Sequence, residues 1–308
     1  MLRVALAVNP AAGHGRGRPA ARTAADHLRA AGVKVAELIG PDAGDLRGQV
    51  GTTLAGGVDA LVVVGGDGMV QLGVTAVAGT GIPLGIIPAG TGNDAARGLG
   101  LPLRDPVAAA DVVLRALPPT GDGRRIDAVR CGPVHESGPV SWYVGVLAAG
   151  FDAVVNERAN GWRYPRGRSR YLLGVLRELP VFRPRTYTMD LDGERWVSGA
   201  MLVAVANGAS YGGGMRICPA AKLDDGLLHV VVVEPLSRIR FLSIFPRVYS
   251  GSHVTDPRVV IRSGTTVTLD APGIVAYADG ERIGPLPLRC EIVPGAIKIL
   301  APLRNRNT

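Results

Sequence analysis

Two hydrophobic patterns alternate along the first third of the chain. Short continuous apolar runs, typical of buried strands, lie at residues 2–8, 34–39, 60–64 and 84–87. Between and after these runs, residues 19–31, 46–55, 69–78 and 107–116 have apolar side chains at helical spacing. Because strands that alternate with helices form parallel sheets covered on both faces, this pattern predicts an α/β domain.

Beyond residue 120 the pattern favours strands. The segment Pro118-Pro119-Thr120-Gly121 marks a boundary, so we predict one domain at 1–122 and a β-rich, sandwich-like domain at 123–294. A tail at about 295–308 is free to return to the first domain. Strands are predicted at 141–148, 186–191, 197–206, 227–233, 259–261, 265–269, 274–278, 288–293 and 296–300, and helices at 171–179 and 239–249.

Composition narrows the class of protein. The 308 residues include 43 glycines and 23 prolines, but 47% of residues are hydrophobic, which excludes a disordered chain and indicates many tight turns. The net charge is +8, and 31 of the 34 basic residues are arginines. Such a surface favours nucleotide phosphates, nucleic acid or anionic lipid. The composition of a G+C-rich genome is an alternative cause of the arginine excess.

The cysteines and the apolar runs bear on the compartment. Cys131, Cys218 and Cys290 are far apart and odd in number, which argues against a disulfide framework or a zinc site. The run Val4–Val8 is too short for a signal peptide, and no run approaches the roughly 18 apolar residues of a membrane span. We therefore expect a soluble, cytoplasmic protein.

A glycine-rich turn follows the strongest predicted strand. In Gly65-Gly66-Asp67-Gly68, three glycines allow the backbone to approach a phosphate, and the following helix would direct its first amides at the anion. Asp67 would repel a phosphate directly but could hold Mg²⁺. An ordinary turn between a strand and a helix explains the same residues.

Two further loops change the balance. Pro88-Ala89-Gly90-Thr91-Gly92-Asn93-Asp94 follows the strand at 84–87, and Asn9-Pro10-Ala11-Ala12-Gly13 follows the first strand. Ligands of open α/β sheets bind beyond the carboxyl ends of the strands, where these three loops would meet. The chain has no G-x-x-x-x-G-K-[ST] motif, which excludes a P-loop, and no H-R-D or D-F-G of protein kinases. Gly15–Ala20 fits the dinucleotide-binding pattern only loosely, because six residues separate Gly15 from the strand.

Taken together, these loops resemble the catalytic region of diacylglycerol kinase-type lipid kinases, nearest the soluble bacterial members. The resemblance extends into the second domain through Tyr211-Gly212-Gly213-Gly214, Asp224-Asp225-Gly226-Leu227-Leu228 and Tyr277-Ala278-Asp279-Gly280-Glu281. The resemblance covers nearly the whole chain. Together the motifs are typical of the superfamily that contains lipid kinases, NAD kinases and phosphofructokinases, and those of the second domain favour a lipid kinase. The resemblance implies a nucleotide domain with the fold of that superfamily beside a β-rich lipid-substrate domain.

The resemblance also implies roles for individual residues. Asp279 would be the catalytic base, with Glu281 as a helper, and Asp67 and Asp94 would organise the nucleotide phosphates through Mg²⁺. Asp225, with backbone oxygens near Lys222 and Leu227, would hold a structural Mg²⁺. The ATP site would comprise Asn9, Pro10, Gly13, Gly65, Gly66, Asp67, Gly68, Met69, Gln71, Gly90, Thr91, Asn93 and Asp94.

Two positions depart from the family's pattern. Met69 stands where the family usually has Thr or Ser, and no Thr occurs near Ile39–Gly40. The Asp-Gly pairs at Asp279 and Asp225 are also common turn sequences, and Asp192-Gly193-Glu194 is interpreted as a turn only.

A basic, aromatic stretch is the candidate membrane contact. Arg163, Arg166, Arg168 and Arg170 are interleaved with Trp162 and Tyr164, a pattern suited to an anionic membrane surface. Nucleic-acid binding and a plain solvated helix start are the alternatives.

From the sequence we therefore expect an ATP- and Mg²⁺-dependent kinase that converts diacylglycerol to phosphatidic acid at the inner face of the membrane. A sphingosine-like or other lipid acceptor, NAD kinase activity, and a non-catalytic nucleotide or lipid sensor remain alternatives. No nucleic-acid partner is expected, and a homodimer is left open.

Overall fold

The chain forms two compact units. The computed structural model describes residues 1–118, 121, 123–134, 138–160, 173–174, 177–178 and 182–302. Unit 1 comprises Met1–Ala128 and Pro294–Thr308, and unit 2 comprises Val129–Val293. Among the described residues, no helix combines the length and the apolar character needed to cross a bilayer.

Unit 1 is built on a parallel sheet. Its strands β1 (Arg3–Val8), β2 (Lys34–Leu38), β3 (Ala60–Gly65) and β4 (Leu84–Pro88) lie in the order β2-β1-β3-β4. Near the C-terminus, Ile299 pairs in parallel with Leu84 of β4. The helices of this unit are α1 (Ala12–Gly15), α2 (Gly17–Ala30), α3 (Ala43–Ala55), α4 (Asp67–Val77), α5 (Asp94–Gly98) and α6 (Pro106–Ala116).

Helices cover both faces of this sheet. On one face, Leu28 of α2 and Val113 of α6 share a buried cluster with Leu6 and Val62 of the strands. Helices α3 and α4 pack against β1 and β3. The continuous apolar runs follow from this arrangement, because a strand covered on both faces needs apolar side chains at every position. The α/β prediction is confirmed.

Unit 2 contains antiparallel strands and, in the part of it that the structure describes, few helices. The remaining strands are β5 (Arg124–Pro133), β6 (Ser141–Tyr143), β7 (Val146–Gly150), β8 (Arg185–Leu191), β9 (Glu194–Ala200), β10 (Leu202–Ala206), β11 (Leu228–Val233), β12 (Val259–Gly264), β13 (Thr266–Asp270), β14 (Val275–Ala278), β15 (Glu281–Pro285) and β16 (Leu288–Ile299). Strand β5 starts in unit 1 and strand β16 ends in it. One sheet has the order β12-β11-β10-β7-β14-β15, and in the other β13 pairs with both β16 and β8, and β8 with β9. The helices are α7 (Phe151–Asn160), α8 (Arg238–Ile244) and two 3₁₀ turns, Phe245–Val248 and Ser252–Thr255.

Buried side chains from both sheets form the core of unit 2. Val203 and Val230 of the first sheet share a cluster with Met189 and Val267 of the second. The other face of the first sheet is covered by α7 and α8, and Phe151 meets Phe241 edge to face with ring centroids 5.0 Å apart. This is the predicted sandwich-like domain, and the fold prediction is confirmed in both parts.

Several predicted boundaries are wrong. The predicted strand 141–148 is two strands, β6 and β7, and the predicted strand 197–206 is also divided, at Met201. The predicted helix 239–249 is α8 followed by a 3₁₀ turn, and the predicted strands 288–293 and 296–300 are joined in β16. Strands β5 and β15 and helices α1, α5 and α7 were not predicted. The predicted helix 171–179 lies outside the described residues, apart from 173–174 and 177–178.

Candidate active site

Three glycine loops of unit 1 meet at the carboxyl ends of β1, β3 and β4. In chain order, the first loop is residues 9–13, the second is residues 65–68 and the third is residues 88–94. The amide of Asn9 donates to the carbonyl of Val64 over 3.1 Å, and the amide of Ala89 donates to the carbonyl of Gly65 over 2.8 Å. The backbone therefore joins each loop to its neighbour. The structure brings together the loops that the sequence analysis placed at this edge.

Two glycines make this close approach possible. Gly13 has a φ of +56°, and a Cβ there would collide with the carbonyl oxygen of Ala89 in the third loop. A Cβ at Gly90 would collide with the Cα of Gly66 in the second loop. Only glycine allows two backbones to come this close. These glycines therefore serve the packing of one loop against another, in addition to forming turns.

Asp67 connects the second loop to the third. Its Oδ1 accepts hydrogen bonds from the amides of Asp94, at 2.7 Å, and Ala95, at 3.3 Å. The carboxylate thus stabilises the start of α5, where the amide dipoles favour a negative charge. Asp94 is the first residue of α5, and a Cβ at Gly92 would lie within 4 Å of carboxylate oxygens of both Asp67 and Asp94. Two carboxylates therefore converge at this point of the loops.

Asn93 fixes the shape of the third loop. Its φ is +54°, its side chain is buried, and its Oδ1 accepts from the amide of Gly90 over 3.0 Å while its Nδ2 donates to the carbonyl of Gly90. Thr91 is exposed on the loop that Asn93 closes. In the first loop, the Oδ1 of Asn9 accepts from the amide of Ala11, and Pro10 is half-buried.

In unit 2, Asp279 occupies a two-residue turn between β14 and β15. Asp279 and Gly280 have φ values of +51° and +89°, as a tight hairpin turn requires. The Oδ2 of Asp279 accepts from the amides of Val144 and Gly145, and its Oδ1 from that of Val146, at 3.0–3.1 Å. The half-buried carboxylate is therefore held in one orientation, while Glu281 beside it is exposed.

Asp225 organises a second turn of unit 2. Its carboxylate accepts from the amides of Lys222, at 3.3 Å, and Leu227, at 3.1 Å, and lies 3.4 Å from the Nε2 of His229. Lys222 and Leu227 thus contact the carboxylate through their amides, and the structure shows Asp225 as the residue that holds this turn. A carboxylate is a ligand type that Mg²⁺ accepts, and the metal role of Asp225 stays a prediction. Among the described residues, no three His, Cys, Asp or Glu side chains cluster as a metal site.

Comparison with known proteins decides the family. The chain is 43% identical over 301 residues to a diacylglycerol kinase of Mycobacterium tuberculosis, covering 97% of this chain and 95% of that protein. The chain belongs to the diacylglycerol kinase family. The resemblance stated from the motifs is confirmed, and this family membership makes the chain a lipid kinase.

Further comparisons agree in both halves of this lipid kinase. The "Diacylglycerol kinase catalytic domain" family matches residues 3–126, and the "YegS C-terminal NAD kinase beta sandwich-like domain" family matches residues 145–301. The fold is similar to a diacylglycerol kinase structure from Bacillus anthracis, with a TM-score of 0.70, 20% identity and 97% of each chain covered. It is also similar to yeast NADH kinase complexed with NADH, with a TM-score of 0.56, 13% identity, and 98% and 84% coverage.

Not every side chain of the expected nucleotide site faces the loops of the kinase. Met69 is buried, its side chain packs where a Cβ at Gly65 would lie, and its amide donates to the carbonyl of Gly66 over 3.0 Å. Gln71 is also buried in α4. Gly66 and Gly68 flank Asp67 and are partly exposed. The departure at Met69 therefore adds core packing at the place where the family usually has a hydroxyl.

Arg16 is a loop residue that the sequence analysis did not select. Its Nε donates to the carbonyl of Gly13 over 2.9 Å, and its Nη2 donates to the carbonyl of Gly90 over 3.1 Å. One exposed guanidinium thus ties the first loop to the third and places a positive charge beside them. Its position between Gly15 and Gly17, inside a glycine-rich loop, is the signal that could have found it.

Asp152, in unit 2, was also not selected. It is buried at the start of α7, where its Oδ2 accepts from the hydroxyl of Tyr211 over 2.8 Å. Burial raises the pKa of Asp152 to about 6, although the hydrogen bonds from Tyr211 and the amide of Ala153 oppose the rise. Tyr211 opens the Tyr211-Gly212-Gly213-Gly214 motif, so this carboxyl fixes one end of that segment.

Proposed function

We propose that this lipid kinase transfers the γ-phosphoryl group of ATP to the free hydroxyl of diacylglycerol and so forms phosphatidic acid. The binding of ATP is supported by the direct backbone contact among the loops of Gly13, Gly65 and Gly90. Such loops let amides approach phosphates closely. The acceptor is supported by the name of the relative that is 43% identical over nearly the whole chain.

In this proposal the loops bind and orient ATP. Asn9, Pro10, Gly13, Gly66, Gly68 and Thr91 supply backbone and polar groups, and Arg16 adds a positive charge. Any contribution of Met69 to the nucleotide would come from its backbone, because its side chain is buried. Catalysis then depends mainly on positioning and on fixed dipoles, as is general for phosphoryl transfer.

Magnesium is proposed to be held by Asp67 and Asp94 with the nucleotide, and by Asp225 with the carbonyl oxygens of Lys222 and Leu227. When bound with ATP, the ion supplies charge neutralisation to the phosphates. Asp67 uses Oδ1 for the amides of α5, and Asp225 holds its turn through two amides, so both carboxylates are already fixed in orientation.

Asp279 is proposed to take the proton. The hydroxyl oxygen of diacylglycerol bonds to the γ-phosphorus, the bond to the β–γ bridging oxygen breaks, and its electron pair leaves with ADP. The hydroxyl proton passes to the Asp279 carboxylate, which the amides of Val144, Gly145 and Val146 orient. Glu281, two residues further along, is exposed and is proposed as a helper.

The chain provides a matched control for testing Asp279. Asp192-Gly193-Glu194 forms a hairpin turn with φ values of +52° and +90°, and the Asp192 carboxylate accepts from the amides of Thr265 and Thr266. Both aspartates therefore have the same turn and the same kind of amide partners. Only Asp279 has a proposed chemical role.

We expect Asp279→Asn to lower the rate of phosphate transfer to diacylglycerol by about 10²-fold or more, because the proton acceptor is lost. Asp192→Asn is expected to retain a rate near that of the wild type. The measurement is transfer of γ-labelled phosphate to the lipid, with thermal unfolding of both variants recorded in parallel. Equal rates for the two variants would remove Asp279 as the base.

We also propose a peripheral, cytoplasmic association with an anionic membrane surface. The predicted contact, Arg163, Arg166, Arg168 and Arg170, lies outside the described residues. Flotation with vesicles tests it, with the four arginines changed to glutamine, and unchanged flotation would contradict this part of the proposal.

A further inference from the structure

Helix α8 exposes apolar side chains at the surface of unit 2. Ile239 is 84% exposed, Leu242 46% and Tyr249, just beyond the following 3₁₀ turn, 43%. Burial of a single isoleucine or leucine side chain favours transfer out of water by about tenfold or more. Ile239 and Leu242 are three residues apart and therefore lie on one face of the helix, which gives this face an exposed apolar surface.

The inner side of the same helix is firmly packed. Phe241 is buried, its ring centroid lies 5.0 Å from that of Phe151, and the Oγ of Ser237 accepts from the amide of Arg240 at the start of the helix. The Nη2 of Arg240 donates to both oxygens of the buried Asp256, at 3.1 Å each. These contacts hold the helix in one orientation, so Ile239 and Leu242 remain on its exposed side.

The charge of this segment is net positive, because residues 234–258 contain four arginines and only two acidic residues, Glu234 and Asp256. Arg238 is exposed and lies one helical turn before Leu242, so a positive charge and an apolar side chain share one face. An exposed helix face with leucine or isoleucine beside arginine matches the interface of an anionic bilayer, where apolar groups enter and cations meet the headgroups.

We propose that the α8 patch (Arg238, Ile239 and Leu242) docks the protein on an anionic lipid bilayer. Ile239 and Leu242 enter the boundary between headgroups and acyl chains, and Arg238 meets anionic headgroups. The inference rests on the proposed function, because a kinase of a bilayer lipid has to contact the bilayer. It adds a second contact to the basic stretch at residues 163–170.

Flotation with phosphatidylcholine vesicles, with and without phosphatidylglycerol, tests the patch. We expect the wild type to bind the anionic vesicles more strongly, and less so at high salt. The double variant Ile239→Glu/Leu242→Glu should lower the partition coefficient by at least about tenfold, and Arg238→Gln by about fivefold. Val197→Glu, which changes a 62% exposed valine on β9, is the matched control and should bind as the wild type does.

Two results would overturn the proposal. One is binding of the double variant at the level of Val197→Glu. The other is a change in oligomeric state, seen by light scattering, with unchanged vesicle binding, which would make the patch an interface between copies. Transfer to a short-chain, dissolved diacylglycerol should be unchanged in the double variant. If the wild type phosphorylates no diacylglycerol in either form, the proposed function fails, while the vesicle result still decides the docking.

Discussion

At the scale of single residues, the tripeptide Asp-Gly-Glu occurs twice in the chain, in two different environments. Asp192 and Asp279 both begin Asp-Gly-Glu, both have a left-handed φ, and both accept hydrogen bonds from backbone amides. Asp192 is exposed, whereas Asp279 is half-buried against the segment Val144–Val146. The sequence predicted both turns from the Asp-Gly pair. The amide partners, more than 130 residues away from Asp279, could not be predicted from local pattern.

Asp152 gives a prediction about stability and pH. Its pKa rises from 3.8 in the unfolded chain to about 6 in the folded protein, so folding binds a proton between these values. The stabilisation is complete below pH 3.8 and is lost as the pH rises through about 6. The difference corresponds to about 3 kcal/mol in the free energy of unfolding.

Asp152→Asn should abolish this dependence, because asparagine does not titrate. We expect the free energy of unfolding of the variant to rise relative to that of the wild type by up to about 3 kcal/mol between pH 4 and pH 7. Urea unfolding across this range measures it. Tyr211→Phe removes a hydrogen bond that lowers the pKa of Asp152. In this variant the loss of stability with rising pH should therefore continue to a higher pH than in the wild type. If the free energies of unfolding of Asp152→Asn and the wild type differ by the same amount at every pH, the titration of Asp152 does not contribute to stability.

At the scale of elements, the sequence predicted what local periodicity controls. The four parallel strands and helices α2, α4 and α6 were predicted from the spacing of apolar residues. A helix buries one stripe of side chains, and a central strand of this sheet buries both of its faces. The break between β6 and β7 follows instead from the turn of the amides at Val144 and Gly145 toward Asp279. Strand β5 escaped prediction because Arg124, Arg125, Asp127 and Arg130 interrupt its apolar positions.

The contact between loops can be tested at this scale with two glycines. Gly13 and Gly15 both have positive φ, +56° and +90°, but only a Cβ at Gly13 would collide with another loop. We expect Gly13→Ala to weaken binding of a non-hydrolysable ATP analogue by at least about tenfold, because the third loop has to move. Calorimetric titration measures this.

Gly15→Ala is the control, because an added Cβ there meets no atom within 4 Å. It should lower stability by about 1 kcal/mol through backbone strain and leave nucleotide binding close to the wild-type value. Equal affinities for the two variants would mean that the packing of the loops does not shape the nucleotide site.

At the scale of the whole molecule, the motifs of both units identified the family. Glycine loops in unit 1 and the three motifs of unit 2 span most of the chain, and the 43% identical relative covers 97% of it. The net charge of +8 is consistent with anionic partners, yet charge alone does not separate ATP, lipid and nucleic acid. Similarity of fold to an NADH kinase likewise leaves the acceptor to be measured.

The acceptor is the central claim, and a competition assay tests it most directly. The wild-type protein receives γ-labelled ATP, Mg²⁺ and equal concentrations of diacylglycerol in vesicles, sphingosine, ceramide and NAD⁺, and the labelled products are separated. We predict that label appears in phosphatidic acid, in excess of every other product, and that it disappears when Mg²⁺ is chelated. Label in NADP⁺ alone, or ATP binding without transfer to any acceptor, would contradict the account.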